Sequence, residues 1–174
     1  LLDHHTTTGL SAGEIHQLGL DELDRIHAEM RATFATLGYP EDETLVQAYD
    51  RAAREGGRVS GNEVLTTYEA LIAEAQQHLE TAFDIRPQAD VVVIGDQFGG
   101  FYIPGSLDGS RPGAFYANVG GAGEPYYAMP TLAYHEAVPG HHFQISLARE
   151  MAGLPTFRQG LRFTAYTEGR ALYA

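Results

Sequence analysis

The run His135-Glu136-Ala137-Val138-Pro139-Gly140-His141-His142, followed by Glu168 in Thr167-Glu168-Gly169-Arg170-Ala171-Leu172-Tyr173, concentrates the residue types able to do chemistry in this chain. Two neutral imidazoles and a carboxylate form the usual open ligand set of a catalytic zinc ion. A second carboxylate beside the first histidine suits a base that takes a proton from an activated water. The expectation is a Zn2+ site with His135, Glu168 and one of His141 and His142 as ligands, and Glu136 as the catalytic carboxylate. A His-Glu pair alone is most often a solvated helix face, and Glu168 alone an exposed helix carboxylate. The Pro-Gly-His-His continuation and the later Glu-Gly segment together set this run apart.

The spacing departs from the common arrangement of two histidines four residues apart on one helix. An intact helix turns about 100° and rises about 1.5 Å per residue, so His141 would point well away from His135, while His142 would lie on the same side but about 10 Å further along. Two imidazoles each about 2.0–2.1 Å from one zinc ion cannot be that far apart. Pro139, four residues after His135, cannot donate to its carbonyl, and Val138 before it is pushed from helical angles. Gly140 permits a turn that other residues resist. With Pro139 and Gly140 bulged out, His141 falls roughly where the fourth-residue histidine would be. His141 is therefore preferred, with His142 the alternative.

These residues resemble a family. Pro130-Thr131-Leu132-Ala133-Tyr134-His135 through Gln144, with Glu168-Gly169-Arg170-Ala171-Leu172-Tyr173, looks like the bacterial proteins grouped as domain of unknown function 885 (DUF885). The likeness extends through Thr6-Thr7-Thr8, the segment from Glu14 to Leu37, and Asp108-Gly109-Ser110-Arg111-Pro112-Gly113-Ala114-Phe115-Tyr116. It implies a zinc-peptidase-like protein similar to gluzincins, with His135, the second histidine and Glu168 as ligands and Glu136 as catalytic carboxylate. Arg170 stands where the family usually has tryptophan, which bears on local packing and substrate preference more than on metal binding.

The implied reaction is peptide hydrolysis by a zinc-activated water, Glu136 passing a proton to the leaving amine. A donor should also face the developing oxyanion, and His142, Tyr126, Tyr127, Tyr166 and Tyr173 are candidates, each with an alternative role in packing. Tyr116 and Asn118 are further candidates for substrate contact, because the strand-like run from Ala114 to Val119 could add an extended peptide along a free edge. Two rivals stand beside this reading: a non-catalytic zinc-binding module, and a metallohydrolase acting on a non-peptide amide or ester. His16, His27 and His78 read as solvent-facing helix residues, and His4 and His5 lie at the chain start.

The chain has 174 residues, 44% of them hydrophobic, enough for a sizeable core and consistent with a single catalytic-type domain. Its formal charge of −12 argues against nucleic acid and anionic membrane surfaces as partners and leaves peptides or small amides. The absence of cysteine removes disulfides and thiolate ligands. No stretch resembles a signal peptide or a membrane span. The first residue is not methionine and a helical pattern is still running at Ala174, so the chain reads as a piece of a longer DUF885-like protein. Compartment and oligomeric state are not written in it.

The positioning elements read as mainly helical α+β, with gluzincin-like metal-bearing helices beside a small sheet. Ser11-Ala12-Gly13-Glu14 has capping-box spacing, and Ile15, Leu18, Ile26, Met30, Phe34 and Leu37 form an apolar stripe up to Gly38. A second helix is expected over Asp42 to Glu55. A third is capped by Ser60 and Glu63 and runs to about Ala82, with Tyr68, Leu71, Ile72, Ala75 and Leu79 inward. Asp90–Gly95 and Ala114–Val119 are β-favouring runs between glycine-rich turns; Gly99-Gly100 and Gly120 to Gly123 lack a Walker lysine or dinucleotide fingerprint. Helix resumes from Thr131 to about Ala152, broken near Pro139, and Pro155-Thr156 opens a last helix carrying Glu168.

Overall fold

The computed structural model describes residues 1–160 and 163–173. The chain divides into two compact units, Leu1–Gly57 and Arg58–Ala174. The first holds α1 (Leu2–Thr6), α2 (Ala12–Thr36) and α3 (Leu45–Gly56). The Ser11 hydroxyl accepts from the Glu14 amide while the Glu14 carboxylate reaches back to Ser11, so the box forms as expected. The apolar stripe of α2 is used only in part: Phe34 stacks on Tyr39 and meets Tyr49 edge-on at 5.0 Å, whereas Leu18 and Leu37 are exposed. The second helix begins at Leu45 rather than Asp42, because Thr44 and Gln47 form a capping box of their own.

The second unit carries the candidate chemistry. Its elements are β1 (Arg58–Val59), α4 (Glu63–His78), β2 (Val91–Asp96), β3 (Phe101–Ile103), β4 (Gly113–Asn118), β5 (Glu124–Pro125), α5 (Met129–Glu136), α6 (His141–Glu150), α7 (Thr156–Gly160) and α8 (Thr164–Tyr173). Ser60 does not cap α4: the N-cap is Asn62, without a side-chain bond, and Val59 is committed to pairing with Glu124 in the small β1–β5 ladder. The helix gives way to a 3₁₀ turn at Leu79–Thr81. Val64, Tyr68, Leu71 and Ile72 face the core, where Tyr68 meets Phe115 edge-on at 4.8 Å and its hydroxyl bonds Glu124.

The three-stranded sheet has the order β2-β4-β3, with β2 parallel and β3 antiparallel to β4. Covered on both sides, β4 is the buried strand, and Phe115 and Ala117 are fully inside. The expected free edge at Ala114–Val119 is thereby overturned, since an extended peptide finds no unpaired strand there; the edges belong to β2 and to the short β3. Met129, Ala133, Val138 and Phe143 from α5, α6 and their junction complete the core, and Phe143 packs on Phe83 at 4.6 Å. The architecture is mainly helical α+β with small sheets. In place of one last helix there are two, α7 and α8, and positions 161 and 162, which the expected helix would have crossed, lie outside the described residues. Among the described residues no helix is long and apolar enough to cross a membrane.

Candidate metal centre

The junction between α5 and α6 makes the site. Helix α5 stops at Glu136, the Val138–Pro139 peptide is cis, and α6 starts at His141. Gly140 folds back onto the end of α5, its amide donating to the Tyr134 carbonyl at 2.8 Å. A Cβ at position 140 would overlap the carbonyl oxygens of His135 and Tyr134, so this close approach requires glycine. Two helices replace the expected bulged one, and the consequence is the same: the His135 and His141 rings come within 4.6 Å of each other, at 75°.

Glu168 on α8 reaches both rings. Its Oε2 lies 3.6 Å from His135 Nε2 and 3.4 Å from His141 Nε2, and the three ligand atoms lie within 4.8 Å of one another. Donors each about 2.0–2.1 Å from a tetrahedral zinc ion stand about 3.3–3.5 Å apart, so the two carboxylate–imidazole separations fit such an ion. The cluster offers two nitrogens and one oxygen, three of the four donors that a tetrahedral ion takes. These groups line a cavity of about 250 Å³ together with Glu136, Phe101, Tyr102, Ile145 and Thr167.

The buried polar and charged side chains among the described residues are Glu136, His141, His142 and Ser146, all on α5 and α6. Burying such groups is costly unless they are paired or have work to do. Burial, reinforced by the charge of Glu168, pushes Glu136 up to about 7, while the backbone N–H of Tyr102 favours the carboxylate and works in the opposite direction.

His142 lies elsewhere. It is 1% exposed, with Nε2 3.0 Å from the Ala89 carbonyl oxygen and Nδ1 2.9 Å from the Tyr102 hydroxyl. Burial lowers its pKa, against the opposing pull of Ala89. Neither nitrogen faces the cavity group. Of the remaining candidates, Tyr116 stacks on Phe101 and Asn118 spends its Oδ1 on the Gly120 amide. Tyr126 and Tyr127 sit in or beside a 3₁₀ turn, Tyr166 and Tyr173 are exposed on α8, and none of the six lines the cavity. Tyr102, which does line it, escaped sequence reading. Its one signal was the short β-favouring run Phe101-Tyr102-Ile103 after Gly99-Gly100.

The whole chain, residues 1–174, matches the family described as bacterial protein of unknown function (DUF885), and the chain belongs to that family. Among solved structures it is similar to the crystal structure of "the putative lipoprotein from Colwellia psychrerythraea", with a TM-score of 0.88 and 31% identity over 99% of this chain. The chain covers 32% of the length of that protein. No curated protein matches it.

Proposed function

We propose that this chain carries the zinc site of a hydrolase, and specifically of a metallopeptidase of gluzincin type, in which His135, His141 and Glu168 hold the ion and Glu136 moves the proton. What carries the reading is the convergence of two imidazole nitrogens and one carboxylate oxygen on a cavity that also presents a buried second carboxylate. A zinc ion bound there supplies Lewis acidity, polarising a carbonyl and acidifying water. Glu136 takes the proton released as water attacks the scissile carbon and delivers it to the leaving nitrogen. Its place in the same cavity as His135, His141 and Glu168 suits both halves of that task, since a carboxylate beside the ion can accept the proton and pass it on. Phe101 and Ile145 give the cavity apolar wall against which a substrate side chain can lie.

The test separates an enzyme from a zinc staple. Glu136→Gln preserves shape and removes basicity, so in the full-length protein it should keep one zinc per chain while hydrolysis of short peptides falls about 10²–10⁴-fold. Equal turnover by the parent and the variant would remove Glu136 from the mechanism. A zinc-loaded parent that cleaves esters or non-peptide amides but no peptide would move the substrate class and keep the site.

A further inference from the structure

We propose that His142 is a positioning residue: from the protein interior it holds the Tyr102 hydroxyl, and so fixes Tyr102 as the cavity wall beside Glu136. The inference rests on the reading of Glu136 as the proton-transferring group.

The hydrogen bonding of His142 has one consistent assignment. The Ala89 carbonyl can only accept, so the ring proton is on Nε2 at that 3.0 Å contact. Nδ1 is then an acceptor, and the Tyr102 hydroxyl at 2.9 Å is its donor, with Ser146 Oγ more distant at 3.4 Å. The imidazole therefore bridges the chain before β2 to the middle residue of β3. The interior leaves space for the pair: a Cβ on Gly113 would run into both the Tyr102 hydroxyl and His142 Nδ1. Glycine at the start of β4 thus lets two polar side chains meet inside the protein.

Tyr102 is where such an anchor has leverage. Strand β3 is three residues long and pairs with β4 alone. So short an edge strand has little ladder of its own to fix it. Tyr102 and Glu136 line the same cavity. Movement of β3 would carry that cavity wall away from the Glu136 carboxylate. Partners that orient a reacting group from behind typically matter about 10–100-fold when removed.

Tyr102→Phe deletes only the hydroxyl and is the primary variant. In the zinc-loaded full-length protein it should lower kcat about 10–100-fold with KM and zinc stoichiometry little changed. Combining it with His142→Leu should cost no more than the worse single change, because both cut one connection. His142→Asn, which keeps an acceptor near the Nδ1 position, should recover part of the loss. Gly113→Ala, which touches neither partner chemically, should reproduce it. Independently of activity, amide hydrogen exchange at Tyr102 should quicken in Tyr102→Phe while β4 and α4 keep their protection. Unchanged exchange at Tyr102, or full kcat in an otherwise active enzyme, overturns the proposal, as do additive losses in the double variant. A zinc-loaded parent that hydrolyses nothing fails the hydrolase reading instead, and the exchange measurement then decides the His142–Tyr102 tether by itself.

Discussion

His141 and His142 are neighbours in the first turn of α6, both buried, and they face two different regions of the molecule. His141 turns its Nε2 to a carboxylate shared with His135 beside a cavity, while His142 engages both nitrogens with Ala89 and Tyr102 in the interior. Residues one apart on a helix point about 100° away from each other, so a site on one side of α6 leaves the next side chain to the other side. The contrast teaches that donor type alone does not make a ligand. A ligand needs a lone pair left available and other donors at the right separation, and a histidine already bonded at both nitrogens lacks the first.

The largest effect expected from this contrast is on zinc affinity. His141→Ala and His135→Ala each remove a donor and should weaken zinc binding by more than the roughly 10–100-fold seen when only an orienting partner is lost. His142→Ala should fall within or below that range. A metal-competition titration of the three variants breaks the comparison if His142→Ala proves the most damaging.

The next effect concerns the junction that brings the two histidines into place. Gly140→Ala puts a methyl group into the carbonyls that end α5, so either α5 or α6 must shift. Destabilisation of about 3 kcal/mol, the upper part of the usual range for single substitutions, should accompany weakened zinc binding. Chemical denaturation together with zinc titration checks both. A variant that is destabilised but binds zinc normally would show that this junction matters for packing and not for ligand convergence.

A smaller effect distinguishes the cavity side by pH. In the metal-free protein Glu136 is raised from an ordinary carboxyl value of 4.5 to about 7. A carboxyl raised by folding contributes stability that is complete below its unfolded value and is lost as pH rises through its folded value. The zinc-free protein should therefore lose Tm between about pH 4.5 and 7, and Glu136→Gln should flatten that part of the profile. A parent and variant with parallel profiles would contradict the buried-carboxyl assignment.

Much of the fold was legible because its determinants are local. The Ser11 and Glu14 cap, the inward face of α4 through Tyr68, Leu71 and Ile72, and the break at Pro139 all depend on residues a few positions apart. The residues of the His135, His141 and Glu168 cluster could be named for the same reason. Strand order could not be read, because whether Ala114 to Asn118 lies at an edge depends on Phe101–Ile103 and Val91–Asp96 pairing across the sheet. Tyr102 stayed hidden for the same cause: three residues are too few for a period, and its meaning comes from a bond to His142 and a cavity shared with Glu136, both far along the chain. The competing capping signals were a local ambiguity. The Thr44–Gln47 box starts α3 at Leu45 rather than at Asp42, and Val59 pairs with Glu124 while α4 starts after Asn62 rather than at Ser60.

In the proposed site His135, His141 and Glu168 hold one zinc ion with a position left for water. Anomalous scattering at the zinc edge from crystals loaded with one equivalent of zinc tests it most directly. A single strong peak is expected about 2.0–2.2 Å from His135 Nε2, His141 Nε2 and a Glu168 carboxylate oxygen, with no fourth protein ligand. A peak at His142, a site closed by four protein donors, or no peak at this cavity would contradict it.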